Sequence, residues 1–378
     1  MNEYISKIRA YIAERKPAFD LGASRQTDVW NGIVPDNQPL LLACNPSQQW
    51  IDAIPDYNTK ETHFNTEKMV ISSFKSMLPT ANGGRDAVPS ARSNMGCGIF
   101  PTLFGISQML FEDKMPWLQE HLDKKTILRM GPEDLKPGDE FKAALEHMYE
   151  MNKLLEGTGA YVFPLDLQSA FGTAHLVYGD TLFYDLYDDP PFVHHLLELS
   201  CECIIIGMTE CLKAISGSNK LIAHYNNLII PRNKGGLKIS EDTATLLSGE
   251  SIDEFVLPYL RKILAHFGGG YVHYCGKNDY LFNALLKEPL VYCLNFGNPE
   301  KHDMESILKR IAQAGKLYYG SINMNINESY DDYFIRVLEA SQQGGLFNLL
   351  LQMSSPDEYT RNEIINSWEN AQNKLRSK

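Results

Sequence analysis

The 378-residue sequence has little positive charge. It contains 35 lysines and arginines against 47 aspartates and glutamates, and its formal net charge is −12. Proteins that bind nucleic acids through the phosphate backbone need a basic surface, so the sequence predicts no nucleic-acid partner. A local cationic pocket for a small anionic substrate remains compatible with this balance. We therefore expect a small-molecule substrate.

The sequence also lacks a long uninterrupted apolar run and an even set of cysteines. Its most apolar stretch, residues 201–215, reads CECIIIGMTECLKAI and contains two glutamates and a lysine. A membrane span needs about 20 apolar residues, so no membrane association is predicted. The N-terminus, MNEYISKIRAYIAERK, is charged and amphipathic, unlike a secretory signal. Seven scattered cysteines are typical of a reducing compartment, and a cytoplasmic location is expected.

No glycine-rich loop of the G-x-G-x-x-G or P-loop type is present, which disfavours a nucleotide-binding doubly wound sheet. Instead, short apolar runs alternate with amphipathic helical patterns from about residue 137. Six runs predict strands: AYVFPLD, KLIAHYN, YVHYC, LVYCLNFG, KLYYGSINM and LFNLLLQM. Such alternation indicates parallel strands with helical crossovers. The sequence therefore predicts an α/β fold, a (β/α)8 TIM barrel with an N-terminal helical and loop extension.

The first 110 residues contain few periodic segments and several turn-rich patches, such as TANGGRDAVPSARSNMGCG. We expect helices and loops there, and the remaining barrel strands within the first 130 residues. No linker rich in proline, glycine or serine interrupts the chain. Residues 1–378 are therefore predicted to form one barrel domain, with residues 1–110 as its extension and first barrel elements.

Polar side chains follow the predicted strands at their carboxyl ends, where an α/β barrel places its function. They are Asp166 and Gln168, His224 and Asn226, His273 and Cys275, Asn295, Asn323 and Gln352. Together they predict a polar pocket at one mouth of the barrel. The alternative is that strand ends are polar because loops begin there. Asp166 can act in acid–base chemistry or cap the next segment, and His224 can act as a base or pack inside the fold.

Two further segments contribute candidate residues. Arg92 and Asn94, in SARSNMGCG, suggest substrate binding, because a loop arginine can hold a carboxylate or phosphate in bidentate fashion. A surface ion pair is the alternative. Glu241 and Asp242 precede a predicted helix, where acidic residues favour the helix dipole. Asp242 facing the pocket, as a catalytic residue, is the second interpretation.

His273 and Cys275 form an H-x-C pattern on a predicted strand. Side chains at positions i and i+2 of a strand share a face, so the imidazole and the thiol can reach one ion. Zinc accepts both ligand types, and a catalytic zinc usually has three protein ligands and one open position. Two ligands are too few by spacing alone, and a buried strand that happens to contain both residues is the alternative.

Several segments resemble the uroporphyrinogen decarboxylase superfamily: MPWLQEHL, DDPPFVHHLLEL, SEDTATLLSGESIDEFVLPYLRKIL, YVHYCGKNDYLFNALL and LNFGNPEKHD. The resemblance covers roughly residues 90–355 and implies an α/β barrel. In the methyltransferase branch, zinc is bound by H-x-C and by a cysteine at the end of the last strand. His273 and Cys275 match the first two ligands, whereas Gln352, Met353 and Ser354 occupy the region of the third.

The resemblance implies two activities. One is a corrinoid-dependent methyltransferase, in which zinc activates a thiol acceptor and a corrinoid, or a corrinoid protein, supplies the methyl group. The other is a metal-free decarboxylase-like lyase acting on a tetrapyrrole or another carboxylate. The RQAGR-type motif of the haem decarboxylase is replaced here by SRQTDVW at 24–30. A third hypothesis is a barrel that binds a corrinoid or small molecule without catalysis. Members of the family often form homodimers, which we expect here also.

Overall fold

The computed structural model describes residues 2–215, 220–225 and 227–377. The helices in these ranges are α1 Glu3–Ala13, α2 Lys16–Trp30, α3 Gln48–Asp52, α4 Thr59–Thr62, α5 Thr66–Ala81, α6 Lys124–Ile127, α7 Asp139–Leu155, α8 Ala170–Tyr178, α9 Thr181–Asp188, α10 Pro190–Ala214, α11 Gly249–Phe255, α12 Leu257–Phe267, α13 Asp279–Lys287, α14 Met304–Gln313, α15 Tyr330–Ser341 and α16 Glu358–Arg376. The strands are β1 Leu40–Cys44, β2 Ser90–Ala91, β3 Gln108–Met109, β4 Trp117–Leu118, β5 Tyr161–Val162, β6 Leu221–His224, β7 Leu228–Pro231, β8 Leu237–Ser240, β9 Gly270–Tyr274, β10 Val291–Phe296, β11 Leu317–Gly320, β12 Gln342–Gln343, β13 Leu346–Phe347 and β14 Leu349–Ser355.

A six-stranded parallel sheet forms the centre of a mixed α/β fold, in the order β1-β14-β11-β10-β9-β8. Helices α12, α13, α14 and α15 connect its successive strands from β8 to β14. This is the strand–helix alternation that the sequence predicted for the second half of the chain. The expected early strand is also present, since β1 pairs with β14 at one edge of the sheet.

The opposite edge of the sheet continues into shorter pairings. Strands β2 and β5 form a separate parallel pair. The segment after β5 reaches β8, where the Ser240 N–H donates to the Leu167 carbonyl at 3.2 Å and the Ser169 N–H donates to the Ser240 carbonyl at 2.8 Å. Near β1, the Asp86 N–H donates to the Leu40 carbonyl at 3.2 Å. The chain before β2 therefore lies beside β1.

The prediction of one barrel strand was wrong. The run KLIAHYN forms β6, which pairs antiparallel with β7 in a hairpin outside the six-stranded sheet. A second apolar run, residues 228–231, follows directly, and Tyr225 takes a left-handed conformation (φ 52°) where the chain reverses. The short run LKIS, β8, which the sequence interpretation overlooked, lies beside β9 instead.

The helix following β8 shows how proline divides a helical pattern. The capping-box pattern Ser251-x-x-Glu254 predicts that the helix begins at Ser251, and Pro258 predicts a kink or a late start of its regular part. In the structure Ser248 is the N-cap, since its side chain accepts from the Ser251 N–H at 3.2 Å. The helix breaks at Val256, and α12 begins with Pro258 in its first turn, where the missing N–H leaves no partner unsatisfied. It ends at Gly268 in the left-handed conformation.

Helix α10, with 25 residues, is the longest helix in the described part of the chain. The Asp189 side chain caps it by accepting from the Phe192 N–H at 3.2 Å. Among the described helices, it alone is long and apolar enough to cross a membrane by length and composition, and 61% of its most apolar window is buried inside the protein. A helix covered on this scale is typical of a core element packed between other helices.

A second cluster of buried side chains covers one face of the six-stranded sheet, and we call it the inner cluster. Its members are Val29, Trp30, Leu41, Ala87, Leu228, Ile230, Tyr271, Cys293, Leu317, Tyr319 and Leu350. Tyr271 and Cys293 lie two positions before His273 and Asn295. Because strand side chains alternate between faces, His273 and Asn295 lie on the face of this inner cluster, nearer the carboxyl ends of the strands.

Candidate metal centre

Strands β8, β9 and β10 bring three polar residues into one row. Ser240, His273 and Asn295 are register partners in adjacent strands, so their side chains project from the same face. Cys275 follows β9 by one position and shares the parity of His273. This confirms that the two residues of the H-x-C pattern point the same way, at the carboxyl ends of the parallel strands.

Asp242 joins this pair from the end of β8. Its Oδ1 lies 3.6 Å from His273 Nε2, and His273 Nε2 lies 3.6 Å from Cys275 Sγ. The Cys275 backbone N–H also donates to Asp242 Oδ1, at 2.6 Å. One potential ligand atom from each residue lies within 4.8 Å of the other two. We call these three residues the candidate centre.

The imidazole of His273 is fixed by a neighbour on β10. Its Nδ1–H donates to Asn295 Oδ1 at 2.5 Å, and Asn295 Nδ2 donates to the Tyr319 carbonyl at 2.6 Å, which fixes the orientation of the amide. The Nε2 lone pair therefore faces Asp242 and Cys275. Burial, followed by the positive charge of Lys238, lowers the pKa of His273, which favours the neutral, ligand-competent form.

The pKa of the Cys275 thiol is shifted in the opposite direction, so that the protonated form, which does not bind a metal, is favoured. Burial and the negative charge of Asp242 raise its pKa to about 11. At neutral pH the thiol therefore keeps its proton unless a cation compensates for the charge. A coordinating metal would remove this proton, so the metal affinity of the site is expected to rise with pH.

The spacing of the three donor atoms fits a tetrahedral ion. With Zn–N near 2.0 Å and Zn–S near 2.3 Å, a tetrahedral angle places the two ligand atoms ~3.5 Å apart, and a nitrogen–oxygen pair ~3.4 Å apart. Both separations measured at His273 are 3.6 Å. Room is provided by Gly297, where an added Cβ would overlap Cys275 Sγ and lie 3.3 Å from His273 Cε1. The residues present fit zinc with one open position.

The third residue of the candidate centre differs from the one that the resemblance implies. The end of β14 carries Gln352, Met353 and Ser354, of which Ser354 is exposed. Cys293 is fully buried in the inner cluster, and its thiol lies 3.6 Å from the Leu294 carbonyl. Instead, a carboxylate oxygen of Asp242 lies beside His273 and Cys275. This agrees with the second interpretation of Asp242, in which its side chain faces the pocket.

Arg92 and Asp166 pair with each other. The Arg92 guanidinium contacts the Asp166 carboxylate in an ion pair, with side chains 31% and 16% exposed. The charge of each is thus partly compensated by the other. Gln168 lies next to the sheet and forms a single parallel bridge with Ser240. Asn94, half-buried, has its Nδ2 3.5 Å from Met115 Sδ.

Two other predicted residues are not part of the candidate centre. His224 ends β6, where Nε2 lies 3.2 Å from the Gly236 carbonyl, and burial lowers the pKa of His224 to about 3. The premise that His224 ends a barrel strand was wrong, because β6 lies in the hairpin outside the six-stranded sheet, and the catalytic role of His224 stays a prediction. Asn226 lies outside the described residues.

Sequence reasoning missed two residues close to the centre. Lys238 on β8 is buried; its charge contributes, after burial, to lowering the pKa of His273, and it partly opposes the rise in the pKa of Cys275. Cys97 is half-buried in the loop after β2, and Asp242 contributes to raising the pKa of its thiol, after burial. Alternation along LKIS would have assigned Lys238 to the face of Ser240, had that run been recognised as a strand.

Glu241, the neighbour of Asp242, lies on the other side of the strand. It is buried and accepts a hydrogen bond from Ser169 Oγ at 2.6 Å. Burial raises the pKa of Glu241 to about 8, so the carboxyl group is mostly protonated at neutral pH. It therefore tethers α8 to the end of β8 and does not contribute a charge to the candidate centre.

The chain matches no family model, and no curated protein matches it significantly. Among solved structures it is similar to a methyltransferase from Methanosarcina mazei, with a TM-score of 0.63. The superposition covers 94% of this chain and 98% of that chain, at 13% sequence identity. At this identity the likeness establishes the fold: the chain has a fold like that of this methyltransferase along nearly its whole length.

Proposed function

We propose that the protein is a methyltransferase that transfers a methyl group from a corrinoid to a thiol acceptor at the candidate centre. The observation that carries this proposal is the convergence of an oxygen, a nitrogen and a sulfur donor around one open position. Zinc bound there would act as a Lewis acid that lowers the pKa of an incoming thiol. The fold that the chain shares with the methyltransferase from Methanosarcina mazei supports the reaction class.

The protein's own groups prepare the site for this reaction. Asn295 holds the proton of His273 on Nδ1, which leaves Nε2 as a ligand. Asp242 receives the Cys275 backbone N–H and thereby fixes the loop that carries the thiol. Gly297 leaves space beside the sulfur. In the transfer itself, the acceptor sulfur forms a bond to the methyl carbon, while the electron pair of the cobalt–carbon bond stays on the cobalt. The proton of the acceptor thiol passes to solvent.

The proposal includes the architecture that the sequence predicts. We infer that β2 and β5 lie between β8 and β1 and complete an eight-stranded (β/α)8 barrel. Supporting this arrangement are the hydrogen bonds of Ser240 to the chain after β5 and of Asp86 to β1. The candidate centre would then lie at the C-terminal mouth, where barrels of this class place their function. Membership of the uroporphyrinogen decarboxylase superfamily, a corrinoid-protein partner, a homodimer and a cytoplasmic location are part of the same proposal.

A decarboxylase-like lyase is less well supported. That activity requires Arg92 to hold a substrate carboxylate and Asp166 to stabilise a protonated ring, yet the two side chains are paired with each other. A substrate would have to separate them first. The same pair is compatible with a methyltransferase, in which neither residue needs a free charge.

Turnover with defined compounds tests the proposal. The zinc-loaded protein is incubated with methylcobalamin and a thiol, and loss of the cobalt–carbon absorbance is followed together with the mass of the methylated thiol. We expect transfer by the wild type and its loss in Cys275→Ser. Release of carbon dioxide from a tetrapyrrole carboxylate, without methyl transfer, would replace the proposal by the lyase. Tight corrinoid binding with no turnover would favour a non-catalytic barrel.

A further inference from the structure

A lysine lies inside the fold next to the candidate centre, and the mechanism above does not use it. Lys238, on β8, is only 6% exposed. Its register partner on β9 is Tyr271, a member of the inner cluster, and two positions further along the same strands Ser240 pairs with His273. Lys238 therefore projects from the face that carries the centre, one row nearer the inner cluster.

The ammonium group of Lys238 has no anionic partner in the part of the chain that the structure describes. Among the described residues, no carboxylate lies within ion-pair distance of Lys238 Nζ and no group forms a hydrogen bond with it. The Nζ atom lies 5.0 Å from the centroid of the Tyr225 ring. Buried lysines are rare unless they are paired, because the desolvated charge is unfavourable. An unpaired ammonium group in this position indicates that an anion completes its surroundings in the working protein.

Charged and titratable groups surround this lysine from several elements. They are His273 and Cys275 on β9 and after it, Asp242 after β8, His224 and Tyr225 on the β6–β7 hairpin, and Cys97 in the loop after β2. The charge of Arg92, which is also close to Cys97, is partly compensated by the ion pair with Asp166. Lys301, the other lysine that acts on Cys275, is exposed and therefore screened by water. Lys238 supplies the buried positive charge near the centre.

Once a thiolate is bound, the charges of the centre balance only when this lysine is counted. A divalent ion with the carboxylate of Asp242, the thiolate of Cys275 and the neutral imidazole of His273 has no net charge. An incoming thiolate would make the assembly negative by one unit, which is unfavourable beside the partly buried side chains of His273 and Asp242. The ammonium group of Lys238 would restore neutrality.

We propose that Lys238 is a positioning residue that makes the open position of the centre selective for an anionic ligand, a thiolate over a neutral thiol. The inference rests on the proposed metal-dependent function and names the form of the acceptor that binds. In this role Lys238 forms no bond to the metal and transfers no proton. Its effect is electrostatic and acts from the row of side chains below the centre.

Cobalt provides the readout, because a thiolate bound to Co²⁺ gives a charge-transfer band in the near ultraviolet. The protein is loaded with Co²⁺ and titrated with 2-mercaptoethanol, an uncharged thiol, from pH 6 to pH 10, and the thiol-dependent band is recorded as a difference spectrum. The pH midpoint reports the thiolate affinity. Removing one nearby buried charge is expected to raise it by about one pH unit in Lys238→Met.

Two variants control this experiment. Lys238→Arg keeps the charge and should return the midpoint to within a few tenths of the wild-type value. Lys301→Met removes an exposed charge near the same cysteine and should leave the midpoint almost unmoved. A midpoint in Lys238→Met equal to that of the wild type, with cobalt bound and the band present, overturns the role of Lys238 and leaves the metal centre standing. A wild type that binds no cobalt overturns both the centre and this inference.

A metal-free measurement gives an independent readout. Because the unpaired ammonium group is unfavourable in the folded state, the metal-free Lys238→Met variant should melt at a higher temperature than the wild type, and Lys301→Met should not. A lower melting temperature for Lys238→Met would show that the folded metal-free protein already compensates for this charge, which would contradict the proposal.

Discussion

Asn295→Leu isolates the support that the sheet gives to the metal ligand. Leucine has nearly the shape of asparagine but neither accepts the Nδ1–H of His273 nor donates to the Tyr319 carbonyl, contacts of 2.5 and 2.6 Å in the structure. The imidazole can then rotate or change tautomer, and Nε2 is no longer held as the ligand atom. Loss of such an outer partner typically lowers metal affinity 10- to 100-fold. This corresponds to about 1.4–2.7 kcal/mol of binding free energy.

The same substitution leaves buried polar groups without partners, so it also lowers stability. Each unsatisfied group costs about 1–3 kcal/mol in the free energy of unfolding. A matched control is therefore needed. Asn348→Leu removes another buried asparagine, which donates to the Ser341 carbonyl at 3.3 Å and immediately precedes β14. It should destabilise the fold without weakening zinc binding.

Zinc affinity is measured by competition with a chromophoric chelator, and stability by thermal unfolding of the metal-free proteins. We expect both variants to melt at lower temperature and only Asn295→Leu to lose zinc affinity. If Asn295→Leu binds zinc as tightly as the wild type, the orientation of His273 does not depend on Asn295. Equal losses of zinc affinity in both variants would trace the effect to general destabilisation.

Three further experiments test other parts of the structure. Gly297→Ala should reduce zinc binding at least tenfold in the chelator assay, since the added Cβ overlaps the thiol ligand, whereas Gly138→Ala, which meets no atom, should not. Glu241 has a pKa raised from 4.5 to about 8, so the stability linked to its protonated form is full below pH 4.5 and lost as the pH rises through 8. The melting temperature of Glu241→Gln relative to wild type should therefore increase from pH 5 to pH 9, and a constant difference would contradict this. A double-mutant cycle with Arg92→Met and Asp166→Asn should give a coupling of about 0.5–3 kcal/mol in unfolding free energy, while a value near zero would mean that the pair is not formed in solution.

Much of the fold follows from local patterns in the sequence. The strands β9, β10, β11 and β14 are apolar runs bounded by amphipathic helices, and a parallel sheet with buried faces requires that pattern. The hairpin β6–β7 shows where the reasoning fails. Residues 220–226 satisfy the same apolar pattern, and their antiparallel partner is determined by the reversal at Tyr225, which periodicity alone does not reveal.

The candidate centre was partly predictable for the same reason. Alternation along a strand places His273 and Cys275 on one face whatever the rest of the fold. The third donor depends on which segment lies beside β9, and in the structure that segment is β8, the run LKIS. Asp242 then follows directly as the residue at the end of the neighbouring strand. Lys238 was missed because a lysine within a short apolar run resembles a loop residue until the strand is recognised.

The central claim is that Asp242, His273 and Cys275 form a zinc site, and the zinc content of the purified protein tests it most directly. Elemental analysis after reconstitution and removal of free metal should give one zinc per chain for the wild type. Asp242→Asn and Cys275→Ser should each lose it, and Cys97→Ser, which alters a nearby thiol outside the centre, should retain it. A wild type without zinc, or one whose zinc survives Cys275→Ser, would contradict the account.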